Sequence, residues 1–190
     1  MSRFFQQVAE HPQSIAYRIN GKDFTYKQLD RMSESVAICL KEILEGKDTK
    51  NIGVCLKEKD YLLPVIIGLF RQGSCYVPID ATLPIERIRQ MMEDAQIHTV
   101  ISDNEVCKEL DDIHIIPITE RLFKQPSIAT TREIPSPETP AYIIFTSGST
   151  GKPKGTSISH ANLAAFCQNF IKLSNLQAST RTLQFASIGR

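Results

Sequence analysis

The stretch "IIFTSGSTGKPKG", from Ile143 to Gly155, places the hydroxyls of Thr146, Ser147, Ser149 and Thr150 among Gly148, Gly151 and Gly155, with Lys152 and Lys154 close behind. That mixture suits one kind of chemistry, the holding of a polyanion. Phosphate oxygens need donors that converge at close range, and each charge-assisted hydrogen bond contributes about 1.5–3 kcal/mol net. Glycines adopt φ values that other residues avoid and bring their N–H groups close to a ligand. Pro153, between the two lysines, limits how the loop collapses.

Composition alone fits a solvated Gly/Ser-rich linker equally well. Placement separates the two readings: the loop leaves the apolar strand "AYIIFT" and returns at once to a second short strand, "GTSIS". A strand-to-loop junction is where open α/β sheets bind ligands. The nucleotide-triphosphatase loop requires GxxxxGK followed by Ser or Thr. Aligning Gly151-Lys152 with its last positions puts Thr146 at the first glycine and Pro153 at the magnesium-binding hydroxyl, so both ends fail. A GxGxxG dinucleotide fingerprint is also missing from the chain.

The elements that must position this loop read as strands alternating with helices. "SIAYRI" and "DFTY" flank Asn20-Gly21, a dipeptide suited to a tight turn, which predicts a small antiparallel ribbon. Leu29, Met32, Val36, Leu40, Ile43 and Leu44 recur at helical spacing behind Thr25, a candidate cap. "NIGVCL", "CYVPI", "HTVISD" and "HIIPI" read as strands. "YLLPVIIGLFRQG" reads as a helix with Pro64 in its first turn and Gly73 at its end, and "LPIERIRQMMEDA" as a helix opened by Pro84. Ser159 can cap a helix through "HANLAAFCQNFIKL", and "RTLQFAS" reads as the start of another strand. The expected fold class is α/β, with a predominantly parallel sheet flanked by helices. Residues 124–140, rich in Pro, Ser and Thr, read as a surface excursion.

At 190 residues, 42% hydrophobic and 23% charged, the chain is long enough for a substantial core. Its formal net charge of +1 leaves no long-range field for nucleic acid or an anionic membrane, so anion binding must be local. Cys39, Cys55, Cys75, Cys107 and Cys167 show no metal-ligand spacing and read as buried, reduced thiols, which suits the cytoplasm. The N-terminal stretch lacks the apolar core of a signal peptide, and "YLLPVIIGLF" is too short to span a membrane.

"YIIFTSGSTGKPKGTSISHANL" resembles the phosphate-binding signature of the adenylate-forming (AMP-binding) enzymes, the superfamily of acyl-CoA synthetases, luciferases and the adenylation domains of nonribosomal peptide synthetases. "GLFRQGSCYVPIDATLPIERI" and "FTYKQLDRMSESVA" resemble two segments that precede it in the family, in the same order and at similar spacing. The "YVPID" and "PIERI" form resembles most the branch that activates amino acids for carrier proteins, D-alanine:carrier-protein ligases included. The fold this implies is part of the large N-terminal domain of such an enzyme, with residues 1–190 an incomplete N-terminal (AMP-binding) domain and the C-terminal domain absent.

The implied reaction is attack by a carboxylate on the α-phosphorus of Mg-ATP, which gives an acyl-adenylate and pyrophosphate. The acyl group then passes to a phosphopantetheine thiol on a carrier protein. By the motif match, Thr146, Ser147, Gly148, Ser149, Thr150, Gly151 and Lys154 hold the ATP β- and γ-phosphates and steady the leaving pyrophosphate, which stabilises developing charge. Lys152 is left aside, because that position of the motif tolerates other residues. His160 reads as a helix-start residue, and Asp80, Glu86 and Arg87 as capping and ion-pairing groups.

"LQFASIG" resembles the lead-in to the substrate pocket, with Arg190 where the family has an aromatic residue. The expectation is an ATP-dependent ligase fragment that does not run the reaction by itself. The competing readings are a non-catalytic nucleotide- or phosphate-binding regulatory module, an acyl-CoA synthetase fragment, and an inert remnant.

Overall fold

The computed structural model describes residues 1–46, 50–57, 59–123, 134–147, 153–177 and 179–184. Helix α1 (Ser2–Glu10), which the sequence reading passes over, precedes the hairpin of β1 (Ile15–Ile19) and β2 (Lys22–Thr25). Asn20 and Gly21 both take positive φ, 49° and 75°, as the tight turn between right-twisted strands requires. Thr25 then opens α2 (Tyr26–Ile43) with a capping box: its hydroxyl accepts from the Gln28 N–H, and the Gln28 side-chain Oε1 accepts from the Thr25 N–H.

Strand β3 (Asn51–Cys55) leads through a 3-10 turn at Lys59–Tyr61 into α3 (Leu62–Gln72), which ends at Gly73 in the left-handed region. Then follow β4 (Cys75–Pro78), α4 (Ile85–Asp94), β5 (Thr99–Ser102), a 3-10 turn at Glu105–Glu109, β6 (His114–Pro117) and the short α5 (Glu120–Phe123). The chain closes with β7 (Pro140–Ser147), β8 (Pro153–Ser159) and α6 (His160–Leu173), the last capped by Ser159 in a second capping box with Asn162.

The main sheet has the order β6-β5-β3-β4-β7-β8. Pairs β6–β5, β5–β3, β3–β4 and β4–β7 are parallel, and β8 runs antiparallel to β7. The four inner strands are apolar on both faces because helices cover both. On one face, Val36, Leu40, Val65 and Leu69 of α2 and α3 pack on Ile52, Val54, Tyr76 and Ile101. On the other, Ile88, Met91 and Met92 of α4 pack on Val77, Val100 and Phe145. This is the layered α/β architecture that the alternation of elements predicts.

The β1–β2 ribbon is tied to the sheet through buried Asp60, whose carboxylate accepts from Asn20 Nδ2 at 2.8 Å and pairs with Lys22 Nζ at 3.2 Å. Among the described residues no helix is long and apolar enough to cross a membrane.

Two expectations need adjustment, and a third lies mostly outside the described residues. Cys55, Cys75 and Cys107 are buried, but Cys39 is half-buried and Cys167 is exposed, because α6 buries none of its residues. Arg181–Gln184, the described part of "RTLQFAS", form no strand. The surface excursion falls mostly on residues 124–133, which lie outside the described residues; 134–139 form no helix or strand.

Candidate functional site

Strand β7 buries Ala141 and Phe145 and reaches solvent at Thr146. It runs parallel to β4, so its last residues sit on the carboxyl edge of the sheet, the edge at which open α/β sheets take ligands. β8 returns antiparallel, with Thr146 opposite Lys154 and Ser147 opposite Pro153. Residues directly opposite in an antiparallel pair share one face, with Cβ atoms about 4.5–5.5 Å apart. The Thr146 hydroxyl and the Lys154 ammonium therefore project from the same side of the hairpin, at the mouth of residues 148–152, and both residues are exposed.

The paired Ser147 and Pro153 fix the two ends of that loop and leave it too short to serve as a linker. Gly148, Ser149, Thr150 and Gly151, with Lys152, lie outside the described residues, and Ser147 is described by its backbone alone. Of the expected site residues, the structure thus brings Thr146, Ser147 and Lys154 to one hairpin end.

Gly155 has a structural reason of its own. It pairs with Phe145, and a Cβ there would meet Ile143 Cγ2 and Phe145 Cε1 at 3.2 Å, tighter than ordinary van der Waals contact. The glycine leaves room for the Phe145 ring and Ile143 to approach the returning strand closely. Beside it opens a cleft of about 410 Å³ lined by Asp94, Ala95, Ile143, Phe145, Lys154, Gly155 and Ser157. Its floor is apolar and an aspartate stands on its wall, so the cleft is a poor anion site despite sharing Lys154. No motif marks Asp94; only the packing of α4 on β8 brings it there.

Asp80, Glu86 and His160 take the structural parts read for them. Asp80 Oδ1 accepts from the Thr82 N–H at 2.9 Å and from the Thr82 hydroxyl at 2.7 Å, closing the turn before α4. Glu86, in the first turn of α4, pairs with Arg89 at 2.7 Å. His160 is the first residue of α6, with its ring edge-on to Phe70 at 4.8 Å. Its Nε2 is buried without a hydrogen-bond partner among the described residues, and burial, helped by the nearby N-terminal ammonium, holds its pKa below the usual histidine value. A histidine so placed is packed, not poised for proton transfer.

Comparison with known proteins gives the family and the fold. The family model described as "AMP-binding enzyme" matches residues 4–189. The nonribosomal peptide synthetase ungA' of Aspergillus campestris is 31% identical over 188 residues, 96% of this chain and 2% of that protein. Gramicidin S synthase 1 of Brevibacillus brevis is 32% identical over 193 residues, covering 97% of this chain and 17% of that protein. Among solved structures, the nonribosomal peptide synthetase FmoA3 with α-methyl-L-serine-AMP bound superposes with a TM-score of 0.85 at 24% identity, over all of this chain and 21% of that one. VinN in complex with 3-methylaspartate gives 0.78 at 22% identity, over 93% of this chain and 52% of that one. This chain therefore spans well under two thirds of each of these proteins.

Proposed function

This chain belongs to the AMP-binding enzyme family, and from that premise we propose that its β7–β8 hairpin holds the β- and γ-phosphates of ATP while a carboxylate is adenylated. The observation that carries the reading is the pairing of Thr146 with Lys154 across the two ends of the glycine- and hydroxyl-rich loop. A hydroxyl and an ammonium on one face, at the carboxyl edge of a parallel sheet, suit a phosphate chain and offer no nucleophile or base. Their contribution is electrostatic: they favour charge that collects on pyrophosphate as it leaves the α-phosphorus.

Among the described residues no three His, Cys, Asp or Glu side chains gather as metal ligands. In this reading the Mg2+ that the reaction uses is part of the substrate, carried on the ATP phosphates. The activated acid in this reading is an amino acid, and its acceptor a carrier-protein phosphopantetheine thiol. The peptide-synthetase relatives support this, as does the resemblance of "YVPID" and "PIERI" to the amino-acid-activating branch. These residues amount to 2% and 17% of those two relatives, so in the proposal they supply the phosphate-holding part of a larger active site and do not complete the reaction unaided.

Two assays test this. Lys154→Ala is expected to weaken pyrophosphate and ATP binding about 10- to 150-fold, the loss of one charge-assisted contact of about 1.5–3 kcal/mol; unchanged affinity removes Lys154 from the site. Amino-acid-dependent exchange of pyrophosphate into ATP is expected to be absent from these 190 residues alone, and robust exchange would overturn that part of the reading.

A further inference from the structure

Two of the buried cysteines meet at the carboxyl edge of the sheet. Cys55 is the last residue of β3, in register with Ser102, the last residue of β5. After β5 the chain doubles back. The Ser102 hydroxyl oxygen accepts from the Asn104 N–H at 2.9 Å, the Asn104 side chain accepts from the Val106 N–H at 3.1 Å, and the 3-10 turn at Glu105–Glu109 folds Cys107 over the strand ends. Ser102 Oγ donates to the Cys55 carbonyl at 2.9 Å and lies 3.3 Å from Cys107 Sγ. Ser102 Oγ thus stands between the end of β3 at Cys55 and the Cys107 thiol, and both cysteines are sealed in the α4-side core. Spacing in the sequence gives no hint of this meeting, because the two lie on different strand ends.

We propose that Cys55 and Cys107 are an internal redox pair, which a peroxide converts to a disulfide that pins the 105–109 turn to the end of β3.

The two thiols are chemically unequal. The neighbouring Cys55 thiol holds the Cys107 pKa below the ordinary thiol value in spite of burial, with Ser102 adding to the effect, while Cys107 and burial push Cys55 up. The charges nearest the pair are the Lys59 ammonium on the Cys55 side and the Asp103 carboxylate on the Cys107 side. Cys107, carried on the turn that opens, takes the nucleophile's part, and Cys55, held at the end of β3, is the resolving thiol. Cys75, buried without a thiol neighbour, is pushed up to about 12 by burial alone.

The step balances with hydrogen peroxide as oxidant. The Cys107 sulfur attacks one peroxide oxygen, the O–O bond breaks, and hydroxide leaves to become water, which gives a sulfenic acid. The Cys55 sulfur then attacks the Cys107 sulfur; the S–S bond forms, the S–O bond breaks, and hydroxide takes the Cys55 proton as a second water. Two thiols are oxidised and one peroxide is reduced to two waters. Access comes through the turn itself: a short 3-10 helix has poorer hydrogen bonds than an α-helix, and Glu105, Lys108 and Glu109 on it are exposed, so it opens locally without unfolding the sheet.

The test treats the folded 190-residue chain with hydrogen peroxide, blocks free thiols, and maps peptides without reduction. The expected product is a single Cys55–Cys107 link that dithiothreitol removes, that Cys75→Ser retains, and that Cys55→Ala abolishes, leaving a dimedone-reactive Cys107. If exposed Cys167 is oxidised while Cys55 and Cys107 both remain alkylatable, or if the link forms only after unfolding in urea, the proposal fails. The wild-type measurement decides it even where a variant does not fold.

Discussion

His160 shows how a titratable residue just after a ligand-binding motif is claimed by packing. Its ring lies against Phe70, and burial disfavours the charged form, so its folded-state pKa sits below the unfolded value of about 6.5. Between those two values the unfolded chain binds more protons than the folded one. The contribution of His160 is therefore intact above about pH 6.5 and is lost as the pH falls toward the folded value. Urea midpoints measured from pH 8 to pH 5 are expected to drop through that window, and His160→Phe is expected to flatten the drop. Thr146 and Lys154 differ in kind: both are exposed, neither is needed for the core, and their substitution is expected to change ligand affinity with little effect on stability.

At the scale of elements, the closest packing is between α2 and α3. A Cβ on Gly68 would stand 2.5 Å from Val36 Cγ1 and 3.0 Å from the Ser33 carbonyl oxygen, so this glycine sets how near the two helices come. Alanine is the better helix former by about 1 kcal/mol, yet Gly68→Ala is expected to destabilise by about 1–3 kcal/mol, because overpacking outweighs propensity; denaturant unfolding checks the sign. Most elements were legible beforehand. Asn20-Gly21, the Thr25 and Ser159 caps, and the end at Gly73 are local signals, set by backbone chemistry within a few residues. What stayed hidden depends on distant packing: Asp94 on the wall of the cleft beside Phe145, and Cys107 folded over the end of β3 through Ser102. Periodicity reports which face of an element is apolar, not which element will cover it. That also explains α6, where Cys167 reads as buried and stands exposed beside Phe166 and Phe170.

For the whole molecule, that helix sets the solution behaviour. Phe166 and Phe170 stack at 5.9 Å on its surface, and Phe166 and Leu173 are 65% and 87% exposed. Contiguous apolar surface of this kind binds apolar dyes and promotes association. The 190-residue chain is expected to enhance 8-anilinonaphthalene-sulfonate fluorescence and to self-associate, and Phe166→Ser with Leu173→Ser to reduce both, as read by dye titration and light scattering. The central claim, that the β7–β8 hairpin grips the phosphates that leave and not the nucleotide that stays, is tested most directly by calorimetric titration with pyrophosphate and with AMP. The account predicts that pyrophosphate binds, competes with ATP and is weakened by Lys154→Ala, while AMP binds far more weakly; AMP binding as tightly as pyrophosphate, with neither affected by Lys154→Ala, would contradict it.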